Sequence, residues 1–136
     1  MSWPSEVIIY TDGASRGNPG AASVGVYVID KNEKVVAEIS KRIGIQTNNV
    51  AEYSALLFGL LEAKKNNAEK VLVRADSELM VRQMKGEYKV KAEGLKSLFR
   101  QCQELAKSFV SIKYEHVPRD ANHEADRLAN EALDSD

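Results

Sequence analysis

The sequence predicts an α/β domain, a mixed sheet with helices packed on its faces. Three observations lead there. Residues 6–11 and 71–75 are apolar on both sides, as strands covered from above and below are, and each runs into an aspartate. Residues 48–66 are apolar nearly all round and too long for a strand. Between them, residues 22–43 hold a β-branched run and an alternating run divided by a turn. The order reads β-β-β-α-β-α-α-β-α, three hairpin strands joined through a helix to two more strands.

The first strand sets Val7 and Ile9 on one side and Ile8 and Tyr10 on the other. It is expected to end at Asp12, with Gly13 to Gly20 forming a glycine-rich loop. Residues 22–30 make the second strand and Asp30-Lys31-Asn32-Glu33 a turn. Over residues 34–43, Val35, Ala37, Ile39, Lys41 and Ile43 alternate with Glu38, Ser40 and Arg42, the pattern of a strand near a sheet edge. Thr47-Asn48-Asn49 opens the long helix, which runs to about Asn66. Val71 to Ala75 is the fourth strand and ends at Asp76; Ser77 to Met84 is a short helix and residues 86–90 a connector. Leu95, Leu98, Phe99, Cys102, Leu105 and Ala106 recur at helical spacing, so residues 92–107 form an amphipathic helix. Val110, Ile112, Tyr114 and His116 alternate with polar residues in a half-covered fifth strand, which puts His116 on the packed side. Pro118 stops that strand. Asp120 is placed to cap a last helix whose inner face is Ala121, Ala125, Leu128, Ala129 and Ala132.

The 136 residues suffice for one domain, with a core over about 6–133, and not for two. A formal net charge of −1 means that no overall basic field advertises nucleic acid; local patches would have to decide such binding. Cys102 is the sole cysteine, so no internal disulfide forms and a reducing compartment fits. No apolar run approaches the ~20 residues that span a bilayer. Residues 1–6 lack the charged and apolar regions of a signal peptide. A soluble cytoplasmic monomer is expected, without a membrane association or an obligatory protein partner.

Four carboxylates carry the chemistry. Asp12 and Asp76 follow two-faced strands; if those strands lie parallel and adjacent, the two meet at a switch point, where open α/β sheets bind ligands. Each has a plainer reading, Asp12-Gly13 as a turn and Asp76 as a helix cap. Glu52 sits in the first turn of the apolar helix, where an isolated charge is costly. It also fits a capping box, Asn49-Val50-Ala51-Glu52. Asp126 borders the buried stripe of the last helix, in a line with Asn122 and Asn130 at i, i+4, i+8 that also reads as a solvated edge. Four acids aimed at one crevice repel each other unless cations bind, and an all-oxygen site suits Mg²⁺ or Mn²⁺. No Cys/His cluster offers zinc instead.

Thr11-Asp12-Gly13-Ala14-Ser15 with Gly17-Asn18-Pro19-Gly20, Thr47-Asn48-Asn49-Val50-Ala51-Glu52, Asp76-Ser77 and Asn122-His123-Glu124-Ala125-Asp126 together resemble type 1 ribonuclease H, in order and spacing, over about residues 6–133. The resemblance implies a ribonuclease H-like fold, a five-stranded mixed sheet in the order 3-2-1-4-5. It implies an endonuclease that hydrolyses the RNA strand of RNA–DNA hybrids with two Mg²⁺ ions, for which Mn²⁺ can substitute, and leaves 5′-phosphate and 3′-hydroxyl ends. Asp12, Glu52, Asp76 and Asp126 would be the metal ligands. Asn18, Asn48 and Asn49 would reach the minor groove, where RNA shows its 2′-hydroxyls, and Thr47 would meet a DNA phosphate.

Three departures from the family pattern stand out. The connector Gly86-Glu87-Tyr88-Lys89-Val90-Lys91 takes the place of a basic, Trp-rich protrusion, with Lys85, Lys89, Lys91 and Lys96 as a modest substitute. Ala92 stands where an asparagine often helps bind a DNA phosphate. The loop Val117 to Ala121 lacks the histidine that many members carry, and Arg119 is the first candidate to replace it, ahead of His123. Two other readings stay open: a non-catalytic nucleic-acid-binding module on the same fold, and a nuclease that also cuts double-stranded RNA. Related exonucleases usually carry Asp-x-Glu on the first strand; Gly13 and Ala14 follow Asp12 here.

Overall fold

β-Branched residues lay down the central strands. In the computed structural model, which describes residues 2–135, β1 (Glu6–Gly17), β2 (Gly20–Asp30) and β3 (Val35–Gln46) form an antiparallel meander. β4 (Lys70–Ala75) pairs parallel with β1, and β5 (Ser111–His116) parallel with β4, so the sheet order is β3-β2-β1-β4-β5. This is the ribonuclease H order expected above. β1 is the switch point, antiparallel to one neighbour and parallel to the other.

The sheet carries helices on both faces. α1 (Asn48–Lys65) packs on β1 and β2 and supports α3 (Glu93–Ala106), while α4 (His123–Asp134) lies across β2, β1 and β3. α2 (Glu78–Met84) follows β4, and a 3₁₀ turn, Arg119–Asn122, leads into α4. Ile9, Val26, Val28 and Val73 meet Tyr53, Leu56 and Leu60 of α1 in the core, all buried. Fully burying each such aliphatic side chain contributes roughly 1.5–3 kcal/mol. The lone Cys102 is buried there as well. No helix among the described residues is long and apolar enough to cross a membrane.

Several expectations need correction. β1 does not stop at Asp12; it runs on to Gly17, pairing residue by residue with β2, and only Asn18-Pro19 forms the tip. The cap of α1 is Thr47, whose Oγ1 accepts the Val50 N–H at 3.2 Å, so Glu52 is not the third residue of a capping box. β5 begins after Val110, which is 72% exposed, and His116 is exposed on this edge strand rather than packed. Ala121 is exposed within the 3₁₀ turn, and Asp120 does not cap α4.

Candidate active site

Two glycines bring the helices onto the sheet beside Asp12. A Cβ on Gly13 would sit 2.2 Å from the Ala51 carbonyl carbon, so only glycine lets the first turn of α1 rest on β1. A Cβ on Gly25, the β2 residue paired with Asp12, would sit 2.0 Å from the Ala125 carbonyl oxygen, and so glycine there admits α4. The first contact delivers Glu52, whose Oε1 accepts the Gly13 N–H at 2.7 Å. The second delivers Asp126 to the same cleft as Asp12, close enough for its charge to act on that carboxyl. Parallel pairing of Thr11 with Ala75 brings Asp76, one residue on, level with Asp12.

One carboxylate oxygen from each of Asp12, Glu52 and Asp76 lies within 4.8 Å of the other two. Asp12 and Glu52 are buried and Asp76 is half-buried. With Asp126 they line an open cleft of about 440 Å³, whose rim includes Ser15, Arg16, Asn48, Arg119 and Asn130. Burial pushes the Asp12 carboxyl well above the usual range, and the charges of Glu52, Asp76 and Asp126 push it further. Glu52 is raised by burial, against the pull of the Gly13 N–H. Asp76 is raised by burial too, with the Arg119 charge opposing. Bringing acids together at such a cost fits a site built for hard cations: the donors are all oxygen, and no Cys or His belongs to the set.

Asn122 was not singled out from sequence as a site residue. It is 1% exposed, and its Nδ2 donates to the Thr11 carbonyl at 3.0 Å. It thus ties the start of α4 to β1 next to Asp12. Its place in the line Asn122, Asp126, Asn130 was the available signal, and the edge that line marks faces the cleft.

A family model described as reverse transcriptase-like matches residues 10–132. Ribonuclease H of Clostridium botulinum is 30% identical, over 95% of this chain and 96% of its own length. The chain belongs to the ribonuclease H family. A bifunctional protein of Mycobacterium tuberculosis is 49% identical over 96% of this chain, which spans only 36% of that relative's length. The solved ribonuclease H domain of that protein superposes with a TM-score of 0.92 at 49% identity, covering 95% of this chain and 99% of the domain. A ribonuclease H1 isolated from compost, solved in complex with an RNA/DNA hybrid, matches with a TM-score of 0.89 at 45% identity, covering 94% and 96% of the two chains.

The residues that the ribonuclease H resemblance put on the substrate side fall into two groups. Asn48 lines the cleft, and its backbone N–H donates to Asn18 Oδ1 at 3.0 Å, which fastens the hairpin tip to the start of α1. Asn49 turns to a neighbouring groove with Tyr88, Lys89, Lys91 and Ala92. Ala92 starts α3 without a side-chain cap. Lys96 is paired with Glu93 at 2.8 Å. Arg119 reaches into the cleft, 82% exposed, with Nη2 3.8 Å from Asp126 Oδ1. His123 turns away to the Asp120 carbonyl, 3.1 Å from its Nδ1.

Proposed function

We propose that this chain, as one catalytic domain, is a metal-dependent endoribonuclease that hydrolyses the RNA strand of RNA–DNA hybrids and leaves 5′-phosphate and 3′-hydroxyl ends. The observation that carries the reading is the meeting of Asp12, Glu52 and Asp76 within 4.8 Å, in an open cleft that Asp126 also lines. A non-catalytic binding module has no need of four converging acids. A family member of 45% identity in complex with an RNA/DNA hybrid supports the choice of substrate.

Asp12, Glu52, Asp76 and Asp126 would hold two Mg²⁺ ions, or Mn²⁺ in their place. Such ions supply charge stabilisation to both the attacking and the leaving oxygen of an in-line displacement. The chain's own groups do the positioning. Gly13 N–H and burial fix Glu52, and Asn122 ties the start of α4 to β1 beside Asp12. Arg119 is free to swing from Asp126 to the scissile phosphate, in the place of the family's loop histidine. Asn48 and Asn49 offer amides to the minor groove. Asn18 has its Oδ1 engaged, so its Nδ2 is the group left for the hybrid. The Thr47 hydroxyl accepts from Val50 yet keeps its own proton to donate to a DNA phosphate.

The test is cleavage of labelled RNA–DNA hybrid, double-stranded RNA and single-stranded RNA with Mg²⁺, Mn²⁺ or chelator. Hybrid cleavage that requires a divalent ion and yields 3′-hydroxyl ends is expected. Cleavage that persists in chelator, or none with either metal, would falsify the reading. Arg119→Ala should lower turnover more than His123→Ala; equal, near-wild-type rates for both remove Arg119 from the mechanism.

A further inference from the structure

We infer that Asn130 is a positioning residue for the Asp126 carboxylate, with Arg16 setting the direction of its amide; this role rests on the nuclease reading above. Asn130 bridges two groups of opposite charge. Its Nδ2 donates to Asp126 Oδ1 at 3.3 Å and to the Asp126 backbone carbonyl at 2.9 Å. Its Oδ1 accepts from Arg16 Nη2 at 3.3 Å. Arg16 Nη2 also stands 2.7 Å from Asp134 Oδ1. Turning an amide by half a rotation exchanges donor for acceptor. Turned here, the oxygen would face a carboxylate and the NH₂ a guanidinium, and both contacts would repel. Arg16 and Asp126 therefore select one orientation from opposite sides.

The placement follows from two elements. Asp126, Asn130 and Asp134 lie four residues apart along α4 and share one edge of it. Arg16 lies four residues beyond Asp12 on the same strand, β1. That strand thus carries one of the clustered acids and also the cation that steadies the holder of another.

Asp126 needs such a holder more than Glu52 does. Glu52 is buried with a backbone N–H on its carboxylate, while the Asp126 side chain is 30% exposed. Arg119 also stands near Asp126, but it is a longer and far more exposed side chain at 3.8 Å. Without Asn130, Asp126 would be free to follow Arg119 away from Asp12.

The experiment compares wild type, Asn130→Ala, Asp126→Ala and the double variant for kcat and KM on hybrid with Mg²⁺. In parallel, ¹⁵N NMR follows the Asn130 side-chain amide in the protein without nucleic acid. Asn130→Ala should lower kcat about tenfold, the loss of one hydrogen bond to a charged group, with KM unchanged. On top of Asp126→Ala it should change kcat less than about twofold, since residues acting as a unit are not additive. Arg16→Ala and Asp126→Ala should each move the Asn130 amide resonances. Losses that multiply in the double variant overturn the inference and leave Asn130 a packing role. A KM rise at unchanged kcat overturns it in favour of a contact with nucleic acid. Amide resonances that stay put in both Arg16→Ala and Asp126→Ala overturn the geometry. If wild type cleaves no hybrid, the nuclease reading falls, while the resonances still decide whether Asn130 holds Asp126.

Discussion

Asp12 is linked to every part of the site: it pairs with Gly25 across the hairpin and feels the charges of Glu52 from α1, Asp76 after β4 and Asp126 from α4. Replacing its charge should separate chemistry from folding. Asp12→Asn should reduce hybrid turnover by roughly a thousandfold or more, several kcal/mol of lost transition-state stabilisation. Circular dichroism should show the fold intact, because an amide keeps the size of the carboxyl and brings no charge to a cluster that burial and neighbouring acids already strain. The pH dependence of stability has an unusual sign here. Burial raises the Asp12 and Glu52 carboxyls, and neighbouring acids add to the shift. A raised acid keeps its proton in the folded state after the unfolded chain has lost it. Folded protein then binds more protons than unfolded, and stability falls with rising pH. The fall begins near the ordinary carboxylate pKa of about 4 and continues through neutral pH. Calorimetry in chelator should therefore show Tm dropping from pH 5 to pH 8, with a flatter profile for Asp12→Asn. A wild-type Tm that rises over that range would mean that the cluster is not strained. Added Mg²⁺ should oppose the fall, since it binds the ionised form.

At the scale of elements, the two glycines govern how closely the helices approach. Gly25→Ala places a methyl against the Ala125 carbonyl and must lift α4 from β2. It should cost roughly 1–3 kcal/mol in a denaturant titration, as overpacking does, and lower kcat by withdrawing Asp126. Full activity at full stability would show that α4 does not need this approach. The same glycines mark a limit of sequence reading. Gly13 to Gly17 has the composition of a loop, yet it is strand, because β2 offers an unbroken partner from Gly20 to Val24. Propensity cannot see a partner. The cap of α1 was misplaced by two residues for a related reason: Asn49 and Glu52 have the spacing of a capping box, but Glu52 is drawn to Gly13, thirty-nine positions away. Helix periods, in contrast, were legible in α3 and α4, since burying an apolar stripe leaves its mark in the chain itself, while α1 was legible from its length and its all-round apolarity.

For the molecule as a whole, a mixed sheet could be foreseen from a hairpin meander joined through a long helix to two more strands, while its order, 3-2-1-4-5, followed from the resemblance to ribonuclease H. The four carboxylates were legible as a set through the motifs that carry the ribonuclease H resemblance; Asn122 and Asn130 were not, since Asn122 binds Thr11 and Asn130 is met by Arg16, and both partners lie on β1. The grip on nucleic acid is a property of this same scale. A net charge of −1 supplies no long-range attraction, so retention of a hybrid falls to local cations. Asn48 lines the cleft and Asn49 the groove that holds Lys89 and Lys91, so a hybrid strand bound at the four acids would be led toward these two lysines. Both lysines are exposed, whereas Lys96 is engaged by Glu93. Lys89→Ala/Lys91→Ala should accordingly raise KM for the hybrid and leave kcat unchanged. Each phosphate contact releases about one counterion, so the slope of log KM against log salt should become shallower by about two in the double variant. An unchanged slope would show that these lysines are solvated bystanders and that the hybrid is held at the cleft alone.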